Sequence, residues 1–170
     1  MKRIICILFS VALLSPLLAS NIKEEDFPFV HISRSNSTIS YDGISRIYQD
    51  SRGLIWIGTF KGLNRFDGDS FTVYDKDDFG VASDFIHSIE EDSEGNIWVG
   101  TDRGVVIYDH KLDTFKPFRT ISNIGTSIEN KVNNIKCVDG TVFITVNHQG
   151  MFSYNIKTGE LVNYFVEDGE

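Results

Sequence analysis

The sequence predicts an all-β protein, an open and incomplete arc of about three β-propeller blades, each a four-stranded antiparallel sheet. Three observations lead there. First, the 170-residue chain uses one unusual phrase twice: DSRGLIWIGTFKGLNRFDG at 50–68 and DSEGNIWVGTDRGVVIYD at 92–109. Asp50 and Asp92, Gly53 and Gly95, Trp56 and Trp98, Gly58 and Gly100, and Gly62 and Gly104 all stand 42 residues apart. Second, each phrase sits in a stretch that divides into four short runs separated by turn signals. A period near 42 with four strands is the signature of a propeller blade. Third, the chain has 14 glycines and only 3 prolines. That balance suits many tight turns better than a proline-rich linker.

The elements follow in order. Residues 1–20 stand apart: Lys2 and Arg3 precede an apolar run that ends in small residues at Ala19 and Ser20. Basic, apolar, small is the order of a secretory signal peptide, with an uncleaved anchor as the alternative. Residues 21–43 form a leading strand and linker. FVHIS at 29–33 resembles the last strand of a blade, and is expected to close a ring from outside, since an unpaired edge is a liability. The alternative is an ordinary strand at the edge of the first blade.

Residues 44–85 make the first blade. ISRIYQ (44–49) alternates apolar and polar, LIWIGT (54–59) is apolar enough to be buried on both faces, and LNRF and FTVY complete the sheet. YDKDDFG at 74–80 reads as a solvated loop between blades. Residues 86–131 make the second blade. Residues 132–170 make a degenerate third, in which Asp139-Gly140 shortens the first turn, Phe143 takes the tryptophan position and His148 is a one-residue insertion.

The repeated residues have structural duties. Asp50 and Asp92 bond the backbone of their own turns, and Gly53 and Gly95 take positive φ where those turns close. Trp56 and Trp98 wedge between neighbouring blades. Gly58 and Gly100 leave room where strands crowd, and Gly62 and Gly104 restart the chain after a loop. None of these duties requires a substrate.

Charge and chemistry narrow the function. Net charge is −8, and cleavage after Ser20 would remove Lys2 and Arg3 and no acid, giving −10. So acidic a body is a poor partner for nucleic acid or for anionic lipid, and no membrane insertion is expected after cleavage. Cys137 is the only cysteine beyond the leader, so the fold must hold by packing. His31, His87, His110 and His148 are scattered without ligand spacing. No catalytic residue, metal or cofactor is expected. Ligand contact is expected at the tips joining second to third strands, from Phe60, Lys61, Asp102, Arg103, His148 and Gln149, against the plainer reading of ordinary loop variation.

D-S-x-G-x-I-W-[IV]-G-T, with a glycine and an [FY]-D turn after it, resembles the repeat of two-component regulator propellers. That resemblance covers about 27–118 strongly and 132–164 weakly. It implies the periplasmic sensor region of a hybrid two-component regulator, which recognises oligosaccharide fragments and leaves phosphotransfer to a kinase outside this chain. Two other readings stay open: a propeller lyase of streptogramin or polysaccharide type, and a protein-interaction propeller. Three blades cannot close a ring, and each bare face would forgo on the order of 10 kcal/mol of apolar burial. The remaining blades of a longer chain, or another copy of this one, are therefore expected as partners.

Overall fold

The computed structural model describes residues 30–79 and 83–164. The expected leader at 1–20 lies outside the described residues. Among the described residues no helix is long and apolar enough to cross a membrane.

Among the described residues twelve strands form three four-stranded antiparallel sheets, each in simple meander order. The first sheet holds β1 (Ile44–Gln49), β2 (Ile55–Thr59), β3 (Gly62–Phe66) and β4 (Phe71–Tyr74). The second holds β5 (Ile86–Glu91), β6 (Ile97–Thr101), β7 (Gly104–Asp109) and β8 (Thr114–Pro117). The third holds β9 (Val132–Val138), β10 (Thr141–Val146), β11 (Gly150–Asn155) and β12 (Leu161–Asn163). Strand β5 packs against both β1 and β9, so the first strand of each sheet is innermost. This is the blade arrangement of a propeller.

Two apolar layers hold the sheets together. Between the first and second lie Trp56, Leu63, Ile86, Ile89, Val99, Tyr108 and Phe115. Between the second and third lie Trp98, Val105, Phe118, Val132, Ile135 and Leu161. Both indoles are buried in these layers, as the sequence predicts. Gly58 and Gly100 permit the approach: a Cβ on either would lie 2.6 Å from a methyl of Ile86 or Val132. Every face of the second sheet is covered, and β6 is buried along its whole length.

The outer sheets each keep one bare face. Ile44, Ile47 and Val73 are exposed on the first sheet, Ile47 to 67%. The counterparts of Ile44 and Ile47 on the second sheet, Ile86 and Ile89, are buried. β2 is therefore sealed only on its Trp56 side, and Ile55 and Ile57 are half-buried. The expectation of burial on both faces holds for β6 and not for β2.

Two further expectations are corrected. The 74–80 loop contains one helical turn, α1 (Lys76–Phe79). The Asp78 carboxylate accepts from the Asp75 amide at 2.8 Å, the local bonding that favours such a turn. Residues 30–33, the described part of the expected leading strand, carry no strand. Ser33 instead opens a turn, its amide donating to Asn36 Oδ1 at 2.8 Å and its carbonyl accepting from the Ser37 amide at 2.9 Å.

Candidate functional site

The register fixes which loops share an end of the arc. Ile44 pairs with Thr59, Ile86 with Thr101 and Val132 with Val146. The tips after β2, β6 and β10 therefore emerge beside the starts of the innermost strands, all at one end of the sheets.

Two of these tips are built alike. Thr59 Oγ1 donates to the Gly62 carbonyl at 2.9 Å and accepts from the Lys61 amide at 3.0 Å. Thr101 Oγ1 does the same with Gly104, at 3.0 Å, and with Arg103, at 3.0 Å. Gly62, at φ 110°, could not be replaced cheaply, since a Cβ would sit 2.5 Å from the Tyr74 carbonyl oxygen. Its amide donates to the Asp84 carbonyl at 2.8 Å, and the Gly104 amide donates to the Asn130 carbonyl at 3.1 Å. Each tip is thus anchored to the connection leading into the next sheet. The third tip is one residue longer. His148, the inserted residue, takes φ 58°, and Gln149 Nε2 donates to the Ser127 carbonyl at 2.8 Å.

The two residues at each short tip point outward from this frame. Phe60 is half exposed, and Phe85 stacks on one ring face with centroids 4.5 Å apart. Tyr41 and Gly43 crowd its edge. Only part of Phe60 is thus open to a sugar ring. Lys61 lies with Nζ 5.3 Å above the Tyr41 ring. Asp102 meets His87, with Nε2 2.6 Å from Oδ1. The His87 ring in turn stacks on Phe85 at 4.8 Å. Phe60, Phe85, His87 and Asp102 therefore form one continuous row across the junction of the first two sheets. Arg103 is exposed on the neighbouring position, and His148 and Gln149 belong to the third tip, outside that row.

Sequence reasoning missed the His87–Asp102 pair and Phe85. The missing signal is a β-bulge. Pairing skips one residue near the start of each innermost strand, at Ser45, His87 and Asn133. A bulge re-aims one side chain out of the ladder, and here it turns His87 toward the second tip. Alternation alone does not reveal a skipped residue.

The opposite end holds a concavity. A cleft of about 430 Å³ is lined by Arg52, Leu54, Arg65, Asp67, Tyr108, His110 and Asp113. Arg65 is committed to structure there: its guanidinium lies 5.6 to 5.9 Å from the rings of Trp56, Tyr74 and Tyr108 and 3.2 Å from Asp113. Burial, and then the hydrogen bond to Asp113, push the Tyr108 hydroxyl well above the ordinary phenol range. Among the described residues no three His, Cys, Asp or Glu side chains converge as a metal ion would require.

An arc of meandering four-stranded sheets, joined through buried indoles, is a set of β-propeller blades. The family described as two component regulator propeller matches residues 38–61 and 80–103. Over 71 residues, 39% of this chain, it is 41% identical to histidine kinase P4 of Formosa agariphila. It spans 5% of that protein. Two solved chains from B. thetaiotaomicron have the same fold. One is described as the extracellular domain of the hybrid two component system BT3049, with TM-score 0.69 and 23% identity over 79% of this chain. The other is described as that of the hybrid two component system BT4673, with TM-score 0.62 and 25% identity over 75% of this chain. The chain spans about a fifth of each.

Proposed function

We propose that this chain is part of the sensing region of a hybrid two-component system, exported to the periplasm, that binds an oligosaccharide on its tip-loop end and performs no chemistry itself. One observation carries the reading. The Thr59 and Thr101 tips are held by the same hydrogen bonds, while the residues they present differ, Phe60-Lys61 in one and Asp102-Arg103 in the other. A rigid frame with variable outward residues is how binding surfaces are built on repeats. Its similarity to a histidine kinase and to extracellular domains of two-component systems supports the signalling role. Binding would signal by favouring one arrangement of the sensor over another, which requires differential affinity for the two.

A second reading rests on the His87–Asp102 pair. A carboxylate-oriented imidazole at the tip-loop end is the equipment of a general base, as a propeller lyase would need. Isothermal titration of the chain with a panel of neutral and acidic oligosaccharides separates the two. Saturable heat without turnover is the expected result. Turnover of any sugar establishes the lyase, and silence across the panel contradicts both.

A further inference from the structure

The two filled interfaces share one steric requirement. Gly58 has no Cβ where Ile86 arrives, and Gly100 has none where Val132 arrives. A Cβ at either place would stand 2.6 Å from a methyl carbon and 2.9 to 3.0 Å from the branched carbon itself. The β-branched residue that opens each innermost strand occupies the space of a side chain that is absent.

The register identifies the same position in the third sheet. Gly58 pairs with Arg46 and Leu63, and Gly100 with Ser88 and Val105. The residue pairing with Asn134 and Met151 is Thr145. It is exposed, and its Oγ1 donates to the Asn134 carbonyl at 3.4 Å. Around it the bare face matches the filled ones in kind. Phe143 stands at the tryptophan position, Met151 where Leu63 and Val105 stand, and Tyr164 where Tyr74 and Phe118 stand; they are exposed to 36%, 40% and 52%. Such a face is made to be covered by another blade, yet it lacks the notch that the filled interfaces use.

We propose that Thr145 keys this face to a propeller blade whose innermost strand opens with glycine, and that it turns away the first sheet of a second copy of this chain. On the first sheet the opening residue is Ile44, the counterpart of Ile86 and Val132 by register. Two arcs of three sheets would add up to six blades, well within the range of known propellers. Blade number therefore does not forbid a ring of two copies. The contact of Ile44 with Thr145 disfavours it, because the overlap falls on Cβ atoms that no rotamer change can move. This keying concerns the sheet face and is independent of what the tip loops bind.

Sedimentation equilibrium on the full chain tests it with two exposed substitutions, Ile44→Gly and Thr145→Gly, each checked for an unchanged melting temperature. The wild type is expected to sediment as a single arc. Either substitution relieves the overlap at both contacts of a two-arc ring and tightens self-association roughly tenfold to a hundredfold. The Ile44→Gly arc, which opens with glycine, also serves as the keyed partner: mixed with wild type, it forms a heterodimer that the wild type alone does not. The proposal is overturned if the wild type pairs head to tail, seen as amide-exchange protection of β1 and β10 on association. It is also overturned if neither substitution tightens association.

Discussion

At the residue scale, the aspartate six positions before each tryptophan explains why the repeated phrase is so strict. Asp50 Oδ1 accepts from the amides of Arg52 at 3.0 Å and Leu54 at 2.9 Å, which builds the turn. Its Oδ2 accepts from the Trp56 indole at 2.9 Å. Asp92 repeats this with Glu94, Asn96 and Trp98. The turn role was legible in the sequence; the indole bond was not, because it depends on the strand folding back over its own turn. Burial by itself would raise the Asp50 carboxyl, but hydrogen bonds from the Trp56 indole, the Arg52 guanidinium and the Leu54 amide outweigh it and hold the pKa below the ordinary carboxylate range. A carboxyl with a lower pKa folded than unfolded stabilises the fold above its unfolded value. That contribution is lost as pH falls through the folded value. Thermal melts followed by circular dichroism should therefore show stability declining below pH ~4, with Asp50→Asn flattening that part of the profile. Asp50→Ala, which strands a buried indole N–H, should cost about 1–3 kcal/mol at neutral pH.

At the element scale, a blade is defined as much by what its second strand omits as by what it carries. The alternation in IWIGT places Trp56 and Gly58 on the same side of β2, bulk beside a gap, and the next innermost strand fills the gap. Denaturant unfolding of Gly58→Ala and Gly100→Ala should each show a loss of about 1–3 kcal/mol from overpacking against Ile86 and Val132. Thr145→Ala, at the same register position on a bare face, should stay within about 0.5 kcal/mol of wild type. Strand positions were readable from periodicity and turn residues, which act locally. The tips that carry Phe60, Lys61, Asp102 and Arg103 share one end of the arc because the strand register sets them there. What escaped was the bulge that turns His87 toward Asp102, and the helical turn at Lys76–Phe79, where a side chain–backbone bond decides the conformation.

At the scale of the whole molecule, the arc is a stack whose cohesion lies between sheets rather than within them. The second sheet, covered on both sides, is the best packed, and the first and third each lend it one face. The count of sheets and their order followed from the 42-residue period. The inequality of the two bare faces did not. It appears only when register sets Thr145 against Gly58 and Gly100 and sets Ile44 against Ile86.

The claim beneath all of this is that both indoles lie shut between sheets. The chain has only two tryptophans, Trp56 and Trp98, so intrinsic fluorescence reports on them without dilution. Acrylamide quenching of the native protein is the most direct test. The stacked arc predicts blue-shifted emission that resists the quencher until the protein unfolds. Native emission at the position of indole in water, freely quenched, would contradict it.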